Sequence, residues 1–305
     1  MSDEKHCGFV ALIGEPNAGK STLLNHMVGS KISIVTHKVQ TTRSRIRGVS
    51  INGTSQIVFV DTPGLFKPRR RLDRAMVKSA WSEALEADII VFLVEANKGL
   101  TEGVKYNLEK LQGSSTSASS VILAINKIDR VKSQILLKLT EELYEEYQFE
   151  ETFFISATKG YGTTELKNWI SGKLPAGEWH YPDDQIADFP LRTMASEIMR
   201  EKLTLRLHQE LPYQLTVETE KWEDRKDGSV RIDQIIYVAR DGHKGIILGP
   251  NGSTIKSINI AARKEMEGFL KRKVHLFCQL KVRPNWLNEK ARYTEMGLNF
   301  RDGDL

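Results

Sequence analysis

The first half of the chain alternates short apolar runs with longer segments in which apolar residues recur every three or four positions. The apolar runs predict strands buried on both faces, because they lack the alternation of a half-exposed strand. They cover residues 8–13, 56–60, 89–95, 121–125 and 153–156. The intervening segments predict helices at residues 20–28, 73–85, 101–111, 133–147 and 164–174. This order predicts a doubly wound α/β domain with a mostly parallel sheet.

A turn signal precedes the second of these strands. The pair Asn52-Gly53 favours the tight turn of a β-hairpin, because both residue types tolerate a positive φ. We therefore expect residues 45–51 to form a strand antiparallel to residues 56–60.

The second half follows a different pattern. A composition break at residues 175–190, rich in proline, is interpreted as a linker. After it come a predicted helix, two strands, a short helical piece, a second helix and a last strand. The longer elements cover residues 191–208, 213–222, 230–239, 254–269 and 274–282. The predicted organisation is a first domain at 1–175, a linker at 176–190, an α+β domain at 191–290 and a tail at 291–305.

Composition and charge exclude several classes of protein and indicate the charge of a ligand. The two cysteines, Cys7 and Cys278, are far apart, which indicates neither a disulfide framework nor a metal-binding spacing. The polar N-terminus predicts no signal peptide, and the longest apolar run, residues 89–94, is too short to cross a bilayer. The net charge is +5, but residues 240–283 alone carry ten Lys and Arg against three Asp and Glu. A local basic surface of this kind favours a polyanion over an acidic small substrate, and on charge alone a solvated lysine-rich surface fits equally well.

A phosphate-binding loop follows the first predicted strand. It matches the pattern G-x-x-x-x-G-K-S, in which glycines let backbone N–H groups turn towards phosphate oxygens. Lys20 is expected to reach the β- and γ-phosphates and Ser21 to ligate Mg²⁺, at the positive end of the helix that follows. The loop comprises Gly14, Glu15, Pro16, Asn17, Ala18, Gly19, Lys20 and Ser21.

A second motif, Asp61-Thr62-Pro63-Gly64, follows the strand at residues 56–60. Asp61 is expected to hold Mg²⁺, and the N–H of Gly64 to meet the γ-phosphate. A polar and basic loop at residues 31–47 then supplies the last Mg²⁺ ligand, either Thr41 or Thr42, which also senses the γ-phosphate. Thr41 is preferred. The predicted catalytic residues are thus Lys20, Thr41, Asp61 and Gly64, and the predicted Mg²⁺ ligands are Ser21, Thr41 and Asp61.

Two further motifs indicate which base is bound. The motif Asn126-Lys127-Ile128-Asp129 follows a strand, and the Asp129 carboxylate can accept from both N1–H and N2–H of guanine. Adenine lacks these donors and would leave a buried carboxylate unpaired, so the site should reject ATP. Ser156, Ala157 and Thr158 end the next strand and are expected to offer backbone N–H groups to guanine O6. All these motifs lie at the carboxyl ends of strands, where open α/β sheets bind ligands.

A glycine turn indicates the ligand of the second domain. Gly249, Pro250, Asn251 and Gly252 lie between two helical patterns, as in KH domains, where a G-x-x-G loop approaches the backbone of about four nucleotides. Residues 242–245 match the same pattern but do not separate two helices. Phosphate contacts without sequence preference are expected from Lys244, Lys256 and Arg263. The order of helices and strands resembles that of a type II KH domain.

Taken together, the motifs G-E-P-N-A-G-K-S, Q-T-T-R-S-R-I-R-G, D-T-P-G-L and N-K-I-D, joined to this C-terminal layout, resemble the bacterial Era family of GTPases over residues 7–290. The resemblance implies GTP binding and hydrolysis, binding near the 3′ end of 16S ribosomal RNA, and a role in assembly of the 30S subunit coupled to cell growth. It also implies a monomer in the cytoplasm, part of which contacts the inner face of the cell membrane. Polar residues at 192–203 resemble the family's helix and are left without a role.

Two residues of the site bear on the rate of hydrolysis. Leu65 stands where Ras-type enzymes carry a glutamine that orients water, and an apolar side chain cannot do so; slow intrinsic hydrolysis is expected. Asn17 resembles the asparagine with which related GTPases bind K⁺, so K⁺ is a second expected cation.

Three other functions remain open to the sequence. A GTPase of tRNA modification or membrane processes would share the nucleotide site but lack a KH domain. An RNA-binding protein with an inert nucleotide site is disfavoured by intact Lys20, Ser21, Asp61 and Asp129. A P-loop metabolic kinase is disfavoured by the Asn126–Asp129 motif and by the absence of a recognisable small-substrate domain.

Overall fold

The computed structural model describes residues 4–36, 38, 42–43, 46–114, 120–188, 190–208 and 210–304. The chain divides into two compact units. The first comprises Met1–Ser33, Val39–Asp188 and Tyr293–Leu305, and the second comprises Ile34–Lys38 and Phe189–Arg292.

The first unit is built on a six-stranded sheet within the described residues, with the strand order β2-β3-β1-β4-β5-β6. Its strands are β1 (His6–Gly14), β2 (Ile46–Asn52), β3 (Ser55–Asp61), β4 (Ile89–Glu95), β5 (Ser120–Asn126) and β6 (Thr152–Ile155). Only β2 runs antiparallel, and it pairs with β3 through a turn at Asn52 and Ser55. The predicted doubly wound α/β fold and its antiparallel hairpin strand are confirmed.

Helices connect the parallel strands: α1 (Lys20–Val28), α2 (Arg71–Glu86), α3 (Glu102–Gln112), α4 (Ser133–Glu146) and α5 (Thr163–Lys173). They pack on a sheet in which every residue of β3 and β4 is buried. Helix α2 begins two residues before its predicted start, because the Asp73 carboxylate accepts hydrogen bonds from the N–H groups of Arg69 and Arg70 at 3.1 and 2.9 Å. This is the capping of an otherwise unsatisfied helix start.

Residues 176–188, interpreted from the sequence as a linker, belong to the first unit. The side chain of Gln56 holds them by donating to the Tyr181 carbonyl at 2.8 Å and accepting from the Tyr181 N–H at 3.0 Å. Ile186 accepts a hydrogen bond from Val49 on the outer strand β2. Prolines therefore mark a segment that covers a sheet edge rather than a free connection, because an open edge strand is a site for unwanted pairing.

The second unit has the predicted order of elements: α6 (Leu191–Arg206), β7 (Leu215–Asp224), β8 (Val230–Val238), α7 (Asp241–Leu248), α8 (Ser253–Leu270) and β9 (Val274–Val282). Its sheet has the order β7-β8-β9, with β7 antiparallel and β9 parallel to β8. One face of this sheet packs against the helices in a core that includes Met199, Ile236 and Ala262. The predicted α+β domain is confirmed.

Within a short helix, α9 (Lys290–Glu295), the chain passes back to the first unit, which contains Tyr293–Leu305. The sequence predicts a tail at residues 291–305 but does not indicate where that tail packs. In the structure the Tyr293 ring is buried and meets the Phe300 ring edge-on at 4.9 Å. No helix of the described ranges has both the length and the apolar character that crossing a bilayer requires.

Candidate functional site

The loop between β1 and α1 has the backbone of a phosphate-binding loop. Gly14, Asn17 and Gly19 have φ values of 144°, 68° and 106°, in the left-handed region that directs successive N–H groups to one side. Side chains cannot be added at the two glycines: a Cβ on Gly14 would lie 2.4 Å from the Leu93 carbonyl oxygen, and one on Gly19 would lie 2.1 Å from Nδ2 of Asn126. Neighbouring strands thus fix the loop from outside.

Lys20 starts α1 and is buried. Its Nζ donates to the carbonyl oxygens of Gly14 and Glu15, at 3.0 Å each. Burial lowers the pKa of Lys20 to about 8, although the carboxylates of Asp61 and Glu15 act in the opposite direction. A lysine held this way presents a compact positive charge inside the loop, which suits a phosphate oxygen.

A cluster of hydroxyls surrounds the carboxylate of Asp61 at the end of β3. Oδ2 of Asp61 accepts hydrogen bonds from Ser21 at 2.6 Å, Ser33 at 2.9 Å and Thr42 at 3.3 Å. The hydroxyl oxygens of Ser21 and Thr42 also lie 3.0 Å from each other. Burial raises the pKa of Asp61, and the hydrogen bonds together with Lys20 oppose that rise. These oxygens converge from the loop, from β3 and from residues 31–47.

The cluster fits Mg²⁺. Oδ1 of Asp61 is buried and has no hydrogen-bond partner among the described residues, so it is available to a cation. Hydroxyl and carboxylate oxygens are the ligands that Mg²⁺ prefers, and Mg²⁺ commonly takes one or two carboxylates together with substrate phosphates. The described residues contain no group of three or more His, Cys, Asp or Glu that could form an all-protein metal cage.

The hydroxyl of Thr42, one of the two threonines considered for Mg²⁺, lies in this cluster, where it is buried. Thr41, the threonine preferred from the sequence, lies outside the described residues. The choice between the two as Mg²⁺ ligand therefore stays a prediction.

Asp129 lies beside β6, where guanine recognition is expected. Ser156 Oγ donates to its Oδ1 at 2.7 Å, and this hydrogen bond holds the pKa of Asp129 below its ordinary value. Lys159 approaches the other oxygen at 4.0 Å. The carboxylate is therefore ionised at neutral pH and can act only as an acceptor, as pairing with two N–H donors of one base requires.

Asn126 joins the base motif to the phosphate-binding loop. Its Nδ2 donates to the Ala18 carbonyl at 2.8 Å, and its Oδ1 accepts from the N–H of Ala157 at 3.0 Å. The N–H of Ser156 donates to the Tyr161 carbonyl at 3.0 Å. Both N–H groups thus have acceptors inside the protein in this structure, and their contact with guanine O6 stays a prediction.

Three residues of the site were not found from the sequence. Ser33 completes the hydroxyl cluster, and Glu95 pairs with Lys127 at 2.9 Å. Lys127 in turn donates to the Asn17 carbonyl at 2.8 Å. Thr101 donates to the Glu15 carboxylate at 2.9 Å. Glu95 ends a parallel strand, a position that could have drawn attention to it, whereas Ser33 and Thr101 carry no such signal.

Gly64 and Leu65 connect the phosphate side of the site to α2. A Cβ on Gly64 would lie 2.9 Å from Cα of Pro16, and the N–H of Leu65 donates to the Gly14 carbonyl at 2.9 Å. The Leu65 side chain is buried in the same core cluster as Val77 of α2. It therefore packs into the protein interior, which agrees with the argument that it cannot orient a water.

The glycine turn of the second unit joins two helices. Gly249 and Gly252 have φ values of 69° and 73°, and Asn251 between them has a φ of 50°, so the chain reverses between α7 and α8. Residues 242–245, the other match to the pattern, lie within α7. Lys256 is exposed, and Lys244 and Arg263 are half-buried. The turn and its flanking cations can hold a phosphate backbone.

Helix α6 buries charges that the sequence left without a role. Arg200 and Glu201 are 3% and 2% exposed. Arg200 pairs with Glu197, and Glu201 pairs with Lys202 at 2.8 Å and accepts from the N–H of Val35 at 2.9 Å. Glu201 thus binds the backbone of Ile34–Lys38, a segment of the predicted γ-phosphate loop that belongs to the second unit.

We expect Asn126→Ala to weaken binding of GDP by about 1–3 kcal/mol, because it leaves the buried Ala18 carbonyl and Ala157 N–H without their partner. Titration calorimetry with GDP would measure the loss. Asn168→Ala, which removes the same amide from an exposed site of α5, is the control. Equal affinities for both variants would contradict a bridging role.

Two family models match the chain: "50S ribosome-binding GTPase" over residues 9–127 and "KH domain" over residues 210–287. The chain is similar to "GTPase Era" of Dinoroseobacter shibae, with 68% identity over 97% of this chain and 96% of the relative. It is similar to "GTPase Era" of Mesorhizobium japonicum with 55% identity over 97% and 94% of the two chains.

Two solved structures share the fold over nearly the whole chain. One is Era in complex with MgGDPNP and nucleotides 1506–1542 of 16S ribosomal RNA, with a TM-score of 0.90 and 36% identity over 96% of this chain and 99% of the other. The other is a variant of Aquifex aeolicus Era bound to GDP·AlF4⁻, with a TM-score of 0.89, 36% identity and the same coverage. The motifs of the nucleotide site, the KH unit and these relatives together place the chain in the Era family of GTPases.

Proposed function

We propose that this chain is a GTP-driven switch that binds 16S ribosomal RNA near its 3′ end and acts in assembly of the 30S ribosomal subunit. One observation carries the proposal: the buried Asp61 carboxylate accepts from three hydroxyls, one on α1 and two in the loop at residues 31–47, of which Ile34–Lys38 belongs to the second unit. A relative with this fold is described in complex with MgGDPNP and 16S ribosomal RNA.

The residues on the phosphate side of the nucleotide site account for hydrolysis of GTP. Ser21 and Asp61, together with Thr41 or Thr42, would hold Mg²⁺, which would neutralise charge on the phosphates. Lys20 and the N–H of Gly64 bind the oxygens of the transferred phosphoryl group. Because Leu65 is buried in the core, no side chain from this position orients the attacking water. Intrinsic turnover is therefore slow, and partner or backbone groups position the water.

Coupling to RNA uses the segment between Ser33 and Thr42. Ser33 and Thr42 bond to Asp61 in the first unit, while Ile34–Lys38 between them belongs to the second unit and is bound there by Glu201. A γ-phosphate and its Mg²⁺ order loops of this kind. A change of nucleotide thus changes the contact between this segment and Glu201 of α6. Through α6 it affects the RNA-binding unit.

The family resemblance extends the proposal in two directions. K⁺ bound near Asn17 would add positive charge beside the phosphates. The protein acts as a cytoplasmic monomer, part of which contacts the inner face of the cell membrane. Flotation with anionic lipid vesicles tests that contact.

We expect wild type to prefer GTP over ATP by about 10⁴-fold, because adenine offers no donors to the Asp129 carboxylate. Asp129→Asn should reduce this preference by 10-fold or more, about 1.4 kcal/mol, and Lys20→Ala should lower GTP turnover by about 10²–10³-fold. Competition binding and phosphate release measure the two effects. Lys138→Ala, which removes an exposed charge of α4 outside the nucleotide site, is the control, and ATP competing as well as GTP would reject the assignment.

We expect the double variant Lys244→Gln/Lys256→Gln to weaken RNA binding to a similar extent for different sequences, since phosphate contacts carry no sequence information. The slope of log K against log salt should fall by about 1.4, at about 0.7 for each lost contact with a single strand. Anisotropy titrations at several salt concentrations measure it. Lys132→Gln/Lys138→Gln removes the same charge from two exposed positions, one just before α4 and one on it, and an identical slope in both variants would contradict the RNA surface.

We expect GTP turnover to be faster in KCl than in NaCl, because a K⁺ bound near Asn17 would add positive charge beside the phosphates. Asn17→Ala should make the rates equal in the two salts. Phosphate release at constant ionic strength gives both rates. Wild-type rates that do not depend on the cation would overturn this part of the proposal.

A further inference from the structure

The start of α2 carries a concentration of positive charge that the nucleotide site does not use. Residues 67–78 contain one acid, Asp73, whose carboxylate is buried and caps the helix. The cations of this stretch are Lys67, Arg69, Arg70, Arg71, Arg74 and Lys78. They follow the Asp61–Leu65 motif in the chain, so any ligand of this surface acts on the helix next to the γ-phosphate site.

The last residues of the chain occupy this surface. Asp304 pairs with Arg71 at 2.5 Å, and Asp302 pairs with Lys78 at 2.8 Å. The Gly303 carbonyl accepts from Nε of Arg74 at 2.9 Å. The three partners lie at spacings of three and four residues, which places them along one face of the helix.

Shape as well as charge fixes this contact. The guanidinium of Arg71 stacks 3.7 Å from the centroid of the Phe300 ring and also donates to the Phe300 carbonyl at 3.3 Å. Gly303 is buried against the helix: a Cβ there would lie 2.4 Å from Cγ and 2.9 Å from the carbonyl oxygen of Arg71. Surface ion pairs alone contribute little, so the fitted glycine and the stacked ring determine where the chain end lies.

Helix α2 passes this contact on to the nucleotide site. Its Val77 and Ala80 share a buried cluster with Leu65. The Leu65 N–H bonds to the Gly14 carbonyl, and Gly64 packs against Pro16 of the phosphate-binding loop. A shift of α2 therefore moves the residues expected to meet the γ-phosphate.

At its other end the segment is anchored in the second unit. Arg292, the last residue of that unit, is 6% exposed. It pairs with Glu218 of β7 at 2.8 Å, and its guanidinium lies 4.8 Å from the centroid of the Tyr237 ring. The next residue, Tyr293, is 1% exposed within the first unit. The chain thus passes from the second unit to the first between Arg292 and Tyr293, within α9.

We propose that residues 293–304 form a strap through which the RNA-binding unit and α2 affect one another, so that the nucleotide state changes RNA affinity through the chain end. The inference rests on the proposed function, to which it adds a second connection besides the loop at residues 31–47. Phe300, Asp302, Gly303 and Asp304 act as positioning residues through α2 and do not touch the nucleotide.

The test is the ratio of RNA dissociation constants measured with GDP and with a non-hydrolysable GTP analogue on the full chain. Couplings of this kind range from about 5- to 150-fold. Gly303→Ala, which forces the strap away from Arg71, should bring the ratio at least threefold closer to one, and Asp302→Asn/Asp304→Asn should change it in the same direction. Nucleotide affinity and thermal midpoint should stay close to those of wild type.

Matched controls separate the strap from general effects of substitution. Gly177→Ala adds a methyl group where no atom lies within 4 Å. Glu141→Gln/Glu145→Gln removes two exposed carboxylates from α4. Both should keep the wild-type ratio. Lys78→Asp should lower the ratio, and Lys78→Asp/Asp302→Lys, which restores the pair with its charges exchanged, should recover most of it.

One result would overturn the strap while leaving the proposed function intact, namely a Gly303→Ala variant with the wild-type ratio. A wild-type protein that binds both GTP and RNA with a ratio of one would reject the strap and also the proposed coupling between nucleotide and RNA. A wild-type protein that does not bind RNA would instead reject the proposed function, and the strap with it.

Discussion

The carboxylate of Asp61, which has no exposed surface, is the constraint on which the rest of the molecule depends. A buried charge is costly unless hydrogen bonds or an opposite charge compensate it. Here Lys20 and three hydroxyls do so, and one oxygen remains for a cation. Two of these hydroxyls belong to Ser33 and Thr42. A change of charge beside Asp61 therefore also acts on the loop at residues 31–47, which contains both residues.

The base side of the site has a different character. Asn126 fixes the Ala18 carbonyl and the Ala157 N–H with one amide, and Gly19 packs too closely against it for any side chain. Nothing in this arrangement depends on a phosphate. The base side is thus a preorganised frame that recognises the ligand, whereas the phosphate side contains the groups that respond to it.

Each unit contributes one rigid and one responsive part. In the second unit the sheet and its apolar core form the rigid part, while α6 carries the buried Arg200 and Glu201, whose charges need partners. Glu201 finds one of its partners in the backbone of Ile34–Lys38. In the first unit, charged residues of α2 likewise find partners in the last residues of the chain. Segments distant in sequence therefore complete both elements.

Local sequence determined most of the fold. Continuous apolar runs identified the parallel strands, Asn52-Gly53 identified the hairpin, and glycine and lysine spacing identified the phosphate-binding loop, because each pattern reflects a conformation that neighbouring residues impose. Tertiary structure alone decided the rest. Residues 176–188 cover a sheet edge and residues 293–304 cover α2; Thr42 joins the hydroxyl cluster; and Asn126 takes the N–H of Ala157. These outcomes depend on atoms that lie far apart in sequence and meet only when the chain is folded, so no local pattern encodes them.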